Sequence, residues 1–194
     1  MYTNQNIEKV ENELKEILDE KRFRHTQGVM YTAAALAMRY SQNVNQALMA
    51  GLLHDCAKAY SDEEKLNLCK KNNIEITSSE QKVPSLLHAK LGAFDAENKF
   101  GVNDEDVLEA VRVHTTGKAN MSMLQKIVYV ADFIEPNRKK YSNMEQIRVI
   151  SFENIDKAVF YIAKNVLEYL NKKGAFIDSL TNETYNYYSK FKER

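Results

Sequence analysis

Ala47-Leu-Met-Ala-Gly-Leu-Leu-His54-Asp55-Cys-Ala-Lys58 is the stretch on which the rest of the chain turns. Its apolar half suits a buried helix. An imidazole and a carboxylate then follow with no polar transition, and an ammonium comes three residues after the carboxylate. Polar groups buried without partners are penalised. The His54-Asp55 pair is therefore expected to face a cavity shared with other polar side chains.

Outward from this stretch, apolar spacing is helical almost throughout, with only two prolines and six glycines as punctuation. Ile7, Val10, Leu14, Ile17 and Leu18 mark one face of a first helix, with Asn4 or Asn6 as its cap. A second helix is expected to open at His25 and run to Tyr40. A third, capped by Asn43 or Asn45, ends near His54-Asp55. Ser61-Asp-Glu-Glu64 has the spacing of a capping box and starts a fourth that ends near Asn72. Residues 73–84 read as an irregular loop that could flank a cleft. Further helices are expected over Ser85–Phe100, closed by Gly101, over Asn103–His114, and over Ser122–Ile134, stopped by Pro136. Ser142-Asn-Met-Glu145 is another capping-box match. Asn154–Lys173 and Asn182–Lys192 complete an all-α chain without a linker or repeat. The expectation is one domain over residues 1–194, a helical bundle with a metal site between its helices. Its motif-bearing core spans about residues 22–141, and the C-terminal helices pack onto it.

Composition bounds the function. Lys+Arg and Asp+Glu balance at 27 each, so no net field argues for nucleic acid or an anionic membrane as partner. Cys56 and Cys69 do not form a disulfide framework, which points to a reducing cytoplasm. The N-terminus has no signal-peptide pattern, and the longest apolar run, Ile127–Ile134, is too short for a membrane span.

Four histidines, His25, His54, His88 and His114, fall at helix ends or beside apolar stripes. Singly, each is more often a hydrogen-bonded core residue than a ligand. Asp132 alters that balance, because Ile127-Val-Tyr-Val-Ala-Asp132-Phe-Ile134 is apolar on every helical face. A carboxylate buried there needs a cation or a metal. Lys126 is the plain candidate, giving an internal salt bridge. Several imidazoles plus Asp55 and Asp132 offer the alternative, a site for iron, manganese, cobalt, nickel or zinc. Such a site would make water nucleophilic near neutral pH.

The order His25, His54-Asp55, Asp132 resembles the H…HD…D signature of HD-domain phosphohydrolases. Arg24-His-Thr26, Gly51–Lys58, Leu87-His-Ala89, Val113-His-Thr-Thr-Gly117 and Tyr129–Arg138 are closer still to the YqeK-type branch. That branch consists of symmetrical bis(5′-nucleosyl)-tetraphosphatases, which split diadenosine tetraphosphate into two ADP. The likeness runs from Arg22 to Tyr141 and implies one or two transition-metal ions, iron first. It places His25, His54, Asp55 and Asp132 on the principal metal, with Asp55 able to bridge. His88 and His114 would bind a second metal or contact the scissile phosphate. It also implies attack by a metal-bound hydroxide, with His54, Asp55, Lys58, His88 and His114 as the catalytic set.

Arg24, Lys58, Thr115, Thr116, Gly117 and Arg138 are the candidates for binding a nucleotide substrate. Surface charge would equally explain Arg24 and Arg138, and a helix cap would explain Thr115–Gly117. Cys56 reads as a small buried residue. Tyr185, Tyr187 and Tyr188 read as packing residues, against the body or the partner of a homodimer. The rival functions are hydrolysis of another nucleotide (mono-, tri- or cyclic phosphate), a non-catalytic nucleotide sensor, and a purely structural helical protein.

Overall fold

In the computed structural model, which describes residues 2–138 and 141–192, helix starts are fixed by side chains that satisfy the first free N–H groups. Thr3 caps α1 (Asn4–Ile17), and the Asn6 side chain returns the bond to the Thr3 N–H. Asp19 caps α2 (Glu20–Arg39), so this helix begins before His25 and the imidazole sits in its second turn. Asn43 caps α3 (Val44–Leu53), which stops at the residue before His54. The expected capping box of Ser61 and Glu64 opens α4 (Asp62–Lys71).

Residues 73–84 are not all irregular. Thr77 and Glu80 form a capping box for a five-residue helix, α5 (Ser78–Lys82), too short to leave an apolar period. The expected helix over 85–100 is divided: a 3-10 turn, Pro84–Leu87, leads into α6 (His88–Asn98). Asp104 caps α7 (Glu105–Val113), and Ser122 caps α8 (Met123–Ile134). The Ser142–Glu145 box does not form. Asn143 holds the cap position of α9 (Met144–Glu153) without a capping bond, and its side chain pairs with Asn165. Asn154 caps α10 (Ile155–Lys172), and Asp178 starts α11 (Ser179–Tyr188) earlier than expected. Among the described residues there is no strand, and no helix is long and apolar enough to cross a membrane.

One apolar cluster runs from Ile7 in α1 to Tyr188 in α11, with α8 at its centre. The α8 residues Ile127, Val128, Val130 and Ala131 are fully buried against α2, α7 and α10. The crossing of α2 and α3 is unusually close. A Cβ added to Gly51 would lie 2.9 Å from the Met30 Cα, so only glycine lets the two backbones meet there. His25 precedes that crossing on α2 and His54 follows it on α3, and the crossing brings the two imidazoles together edge to face, 5.3 Å between ring centroids. Tyr185, Tyr187 and Tyr188 pack inward. Tyr185 stacks on Phe160, the Tyr187 hydroxyl donates to Asn120, and the Tyr188 hydroxyl accepts the Met121 N–H.

Candidate metal centre

The four histidines come from α2, the end of α3, the start of α6 and the end of α7, and their Nε2 atoms converge. His25 and His54 are 3.3 Å apart Nε2 to Nε2, and His88 and His114 are 3.2 Å apart. The other ring nitrogen of each is already committed. Nδ1–H of His54 donates to the Gly51 carbonyl at 2.7 Å, that of His88 to Ser85 at 2.5 Å, and that of His114 to Val111 at 2.7 Å. Each acceptor lies three residues upstream, so a helix end supplies it for free. His25, inside α2, has no free carbonyl there and donates instead to Glu135 Oε1 at 3.1 Å. With Nδ1 protonated, every Nε2 presents a lone pair. Lone pairs facing each other at these distances repel unless a cation lies between them.

Two acids complete the cluster. Asp132 Oδ1 lies 3.0 Å from His25 Nε2 and 3.7 Å from His54 Nε2. Asp55 divides its oxygens. Oδ2 lies 3.6 Å from His54 and 4.0 Å from His25, while Oδ1 lies 3.2 Å from His88 and 3.6 Å from His114. Two donor groups result, His25/His54/Asp55 and Asp55/His88/His114, each compact enough to hold one ion. The donors are imidazole and carboxylate only. The adjacent Cys56 thiol turns away to the Gly92 carbonyl, and burial pushes its pKa up. This set fits a first-row divalent metal.

The protonation states of His54 and His88 agree with that fit. Burial pushes His54 down to about 3 and lowers His88, so both rings are neutral, as a ligand must be. Burial also opposes protonation of His25, but the Asp132 carboxylate outweighs it and raises this pKa. Asp55 and Asp132 are held well below the usual carboxylate range. Burial alone would raise both; the imidazoles around Asp55, and His25 with Arg138 beside Asp132, reverse the shift.

Cations ring the acids. Arg22 Nη1 donates to Asp55 Oδ2 at 2.5 Å, and Arg138 donates to Asp132 Oδ1 at 2.6 Å and to its backbone carbonyl at 3.1 Å. Lys58 Nζ sits 3.1 Å from His88 Nε2 and 3.8 Å from Asp55 Oδ1. Arg24 is further out, exposed and paired with Glu20, though it lines the same open cleft of about 610 Å³ as Arg22, His25 and Arg138. Thr115 Oγ1 lies 3.0 Å from both His88 and His114 Nε2. Thr116 and Gly117 are turned elsewhere: the Thr116 hydroxyl donates to the Gly117 carbonyl, and the Gly117 N–H caps α7 at Val113.

Lys126, the plain candidate partner of Asp132, instead reaches Asp156 at 3.0 Å; Asp132 is met by His25 and Arg138. Lys139 and Lys140, which follow Arg138 in its basic run, lie outside the described residues. Sequence reasoning missed two residues. Arg22 carried no signal beyond opening the matched span. Glu135 could have been found by asking which acid answers the Nδ1–H of a mid-helix histidine, since it stands three residues after Asp132.

The HD domain family model matches residues 22–137. The chain is 36% identical to the symmetrical bis(5′-nucleosyl)-tetraphosphatase of Bacillus subtilis, covering 90% of this chain and 92% of that one. It is 38% identical to the protein of the same name from Halalkalibacterium halodurans, covering 89% and 91%. A crystal structure from Clostridium acetobutylicum, described as a predicted HD superfamily hydrolase involved in NAD metabolism, superposes with a TM-score of 0.91. That protein is 36% identical, over 98% of this chain and 99% of its own. The histidines and aspartates assembled above fall within the matched span, and this chain belongs to the HD domain family.

Proposed function

We propose that this protein is a metal-dependent phosphohydrolase that cleaves diadenosine tetraphosphate symmetrically into two ADP. The observation that carries the chemistry is the convergence of four Nε2 lone pairs on two carboxylates, each Nδ1 held by its own acceptor. The substrate class rests on likeness to the two tetraphosphatases over nine-tenths of the chain. In this reading His25, His54, Asp132 and Asp55 would hold one ion, and Asp55, His88 and His114 would hold a second. Bound there, divalent ions make water nucleophilic near neutral pH and polarise phosphoryl oxygens.

The remaining steps belong to side chains. Arg22 and Arg138 grip the two carboxylates and open onto the cleft, where a polyphosphate offers their guanidinium groups a bidentate partner. Lys58, lowered by burial yet beside Asp55, is placed to offset charge that builds on the phosphoryl oxygens during attack. Thr115 can donate one hydroxyl proton to an Nε2 or to a phosphate oxygen. Cleavage at the central anhydride releases ADP as an anion that needs little protonation. Arg24 adds long-range attraction at the cleft mouth, and Thr116 with Gly117 shapes the turn that presents Thr115.

Iron is the metal we assign first, on the resemblance to the tetraphosphatase branch; a donor set of nitrogen and oxygen without thiolate suits manganese, cobalt, nickel and zinc as well. Burial of both free cysteines supports a cytoplasmic setting. Exposed Tyr31, Met38 and Val149 on the neighbouring helices α2 and α9 support self-association as a homodimer.

Incubation with diadenosine tetraphosphate, with and without chelator, tests the assignment. ADP as the single product, lost on chelation, is expected. AMP with ATP would refute symmetrical cleavage, and retained turnover in His54→Ala would refute the metal centre.

A further inference from the structure

Beside Thr115 lies a second cavity of about 180 Å³, which shares no lining residue with the arginine-lined cleft. Leu86, Ala89, Val113 and Leu180 give it apolar walls, Glu80, Lys90, Arg112 and Asp178 add charged groups to the lining, and Thr115 is part of it. Thr115 is also the residue whose hydroxyl touches His88 and His114, so a single residue stands between the cavity and that pair. We infer that this slot receives one nucleobase of the substrate, with α11 as the selecting wall.

Three observations carry the inference, which rests on the proposed dinucleotide substrate. Size comes first: pockets for whole ligands run to roughly 300–1,000 Å³, and this one suits a single flat ring system. Position comes second. A symmetrically cleaved dinucleotide has its reacting bond at its centre, so its two ends must leave the metal centre in different directions. The polar cleft at Arg22 and Arg138 is lined by His25 of one histidine pair, and the slot is lined by Thr115, which touches the other pair.

Construction comes third. The wall is built by α11, which lies beyond the residues matched by the HD domain model. It is fastened at a fixed distance. The Thr184 hydroxyl shares its proton between the Leu180 carbonyl at 2.8 Å and the Thr116 carbonyl at 3.0 Å, and a Cβ on Gly117, whose φ is +66°, would meet Thr184 at 2.7 Å. Gly117 therefore lets α11 approach the Thr115 turn closely enough to close the slot. The chemistry shared by the family stays with the histidines, while substrate choice passes to a C-terminal helix. The two bases of a symmetrical substrate are then held unequally, one in a wide open cleft and one in a narrower slot with apolar walls.

Leu180→Trp fills the slot from an exposed position on α11 and touches no metal ligand. ADP and inorganic pyrophosphate are compared as competitive inhibitors of diadenosine tetraphosphate cleavage in the parent and in the variant. In the parent, ADP is expected to bind more tightly than pyrophosphate. In Leu180→Trp that advantage falls about tenfold, KM for the dinucleotide rises about tenfold, and pyrophosphate affinity is unchanged. Leu180→Ala, which adds no bulk, shifts the same ratio in the same direction and guards against misfolding of the Trp variant. A parent that cleaves the dinucleotide, with an ADP-to-pyrophosphate ratio unmoved by either variant, overturns the slot. A parent that cleaves no dinucleotide overturns the functional reading instead.

Discussion

Gly28→Ala tests whether Glu135 sets the metal affinity of a site that Gly28 never touches. Gly28 lies on α2 one turn after His25, and a Cβ there would stand 2.4 Å from Glu135 Oε2 and 3.1 Å from its Cδ. Restoring an ordinary contact of about 3.5 Å moves that oxygen by about 1 Å. Glu135 is not free to yield, because its carboxylate accepts the His25 Nδ1–H at 3.1 Å, the Asn137 N–H at 2.7 Å and the Asn137 side chain at 2.9 Å. Losing the acceptor behind a ligating histidine costs about 10–100-fold in metal affinity, or roughly 1.4–2.7 kcal/mol.

Alanine also favours a helix interior over glycine by about 1 kcal/mol, so the metal-free fold should be little changed or slightly more stable. The signature is weaker metal binding in a protein that melts no earlier. Metal-free protein titrated against a competing chelator gives the affinity, and thermal scans of the same samples give the stability. In a Glu135→Ala background, Gly28→Ala should add nothing further to the loss of affinity. Parental affinity in Gly28→Ala alone would refute the reasoning.

Gly51→Ala attacks the α2–α3 crossing itself, where the added Cβ meets Met30 backbone at 2.9 Å, and should destabilise the fold by about 1–3 kcal/mol in urea titration. A midpoint equal to the parent's would show that the helices separate at no cost. The metal-free protein should lose stability as pH falls from 6.5. His54 is held neutral down to about 3 by burial, so the unfolded chain binds the extra proton in that window, worth about 1.4 kcal/mol per pH unit. His88 is shifted in the same direction, whereas the raised pKa of His25 acts only above its unfolded value. A flat profile between pH 6.5 and 4 would contradict neutral buried imidazoles. Arg22→Ala removes the cleft-lining guanidinium that pairs with Asp55; on the proposed role in phosphate binding it should raise KM for the dinucleotide by about tenfold or more, with metal content retained. Loss of the metal would instead make Arg22 a structural partner of Asp55.

Apolar period and capping chemistry are local, so the chain's order of residues was enough to determine an all-helical fold and four of its helix starts. Ser61, Ser122, Asn43 and Asn154 cap where their spacing says they should. The histidines and both aspartates were equally legible, because a carboxylate in an apolar run such as Ile127–Ile134 has to be explained. Short elements escaped: α5 has no full apolar period, and the Ser142 box failed because Asn143 found a partner on α10. What only the tertiary structure decided were matters of meeting. Asp132 is paired by His25 and Arg138 while the nearby Lys126 goes to Asp156. Asp55 points one oxygen at each histidine pair, and Glu135 stands behind His25. These partners come from different helices, and no local spacing encodes them. The Gly51–Met30 crossing and the packing of α8 fix those distances, and they act only once the chain has closed on itself.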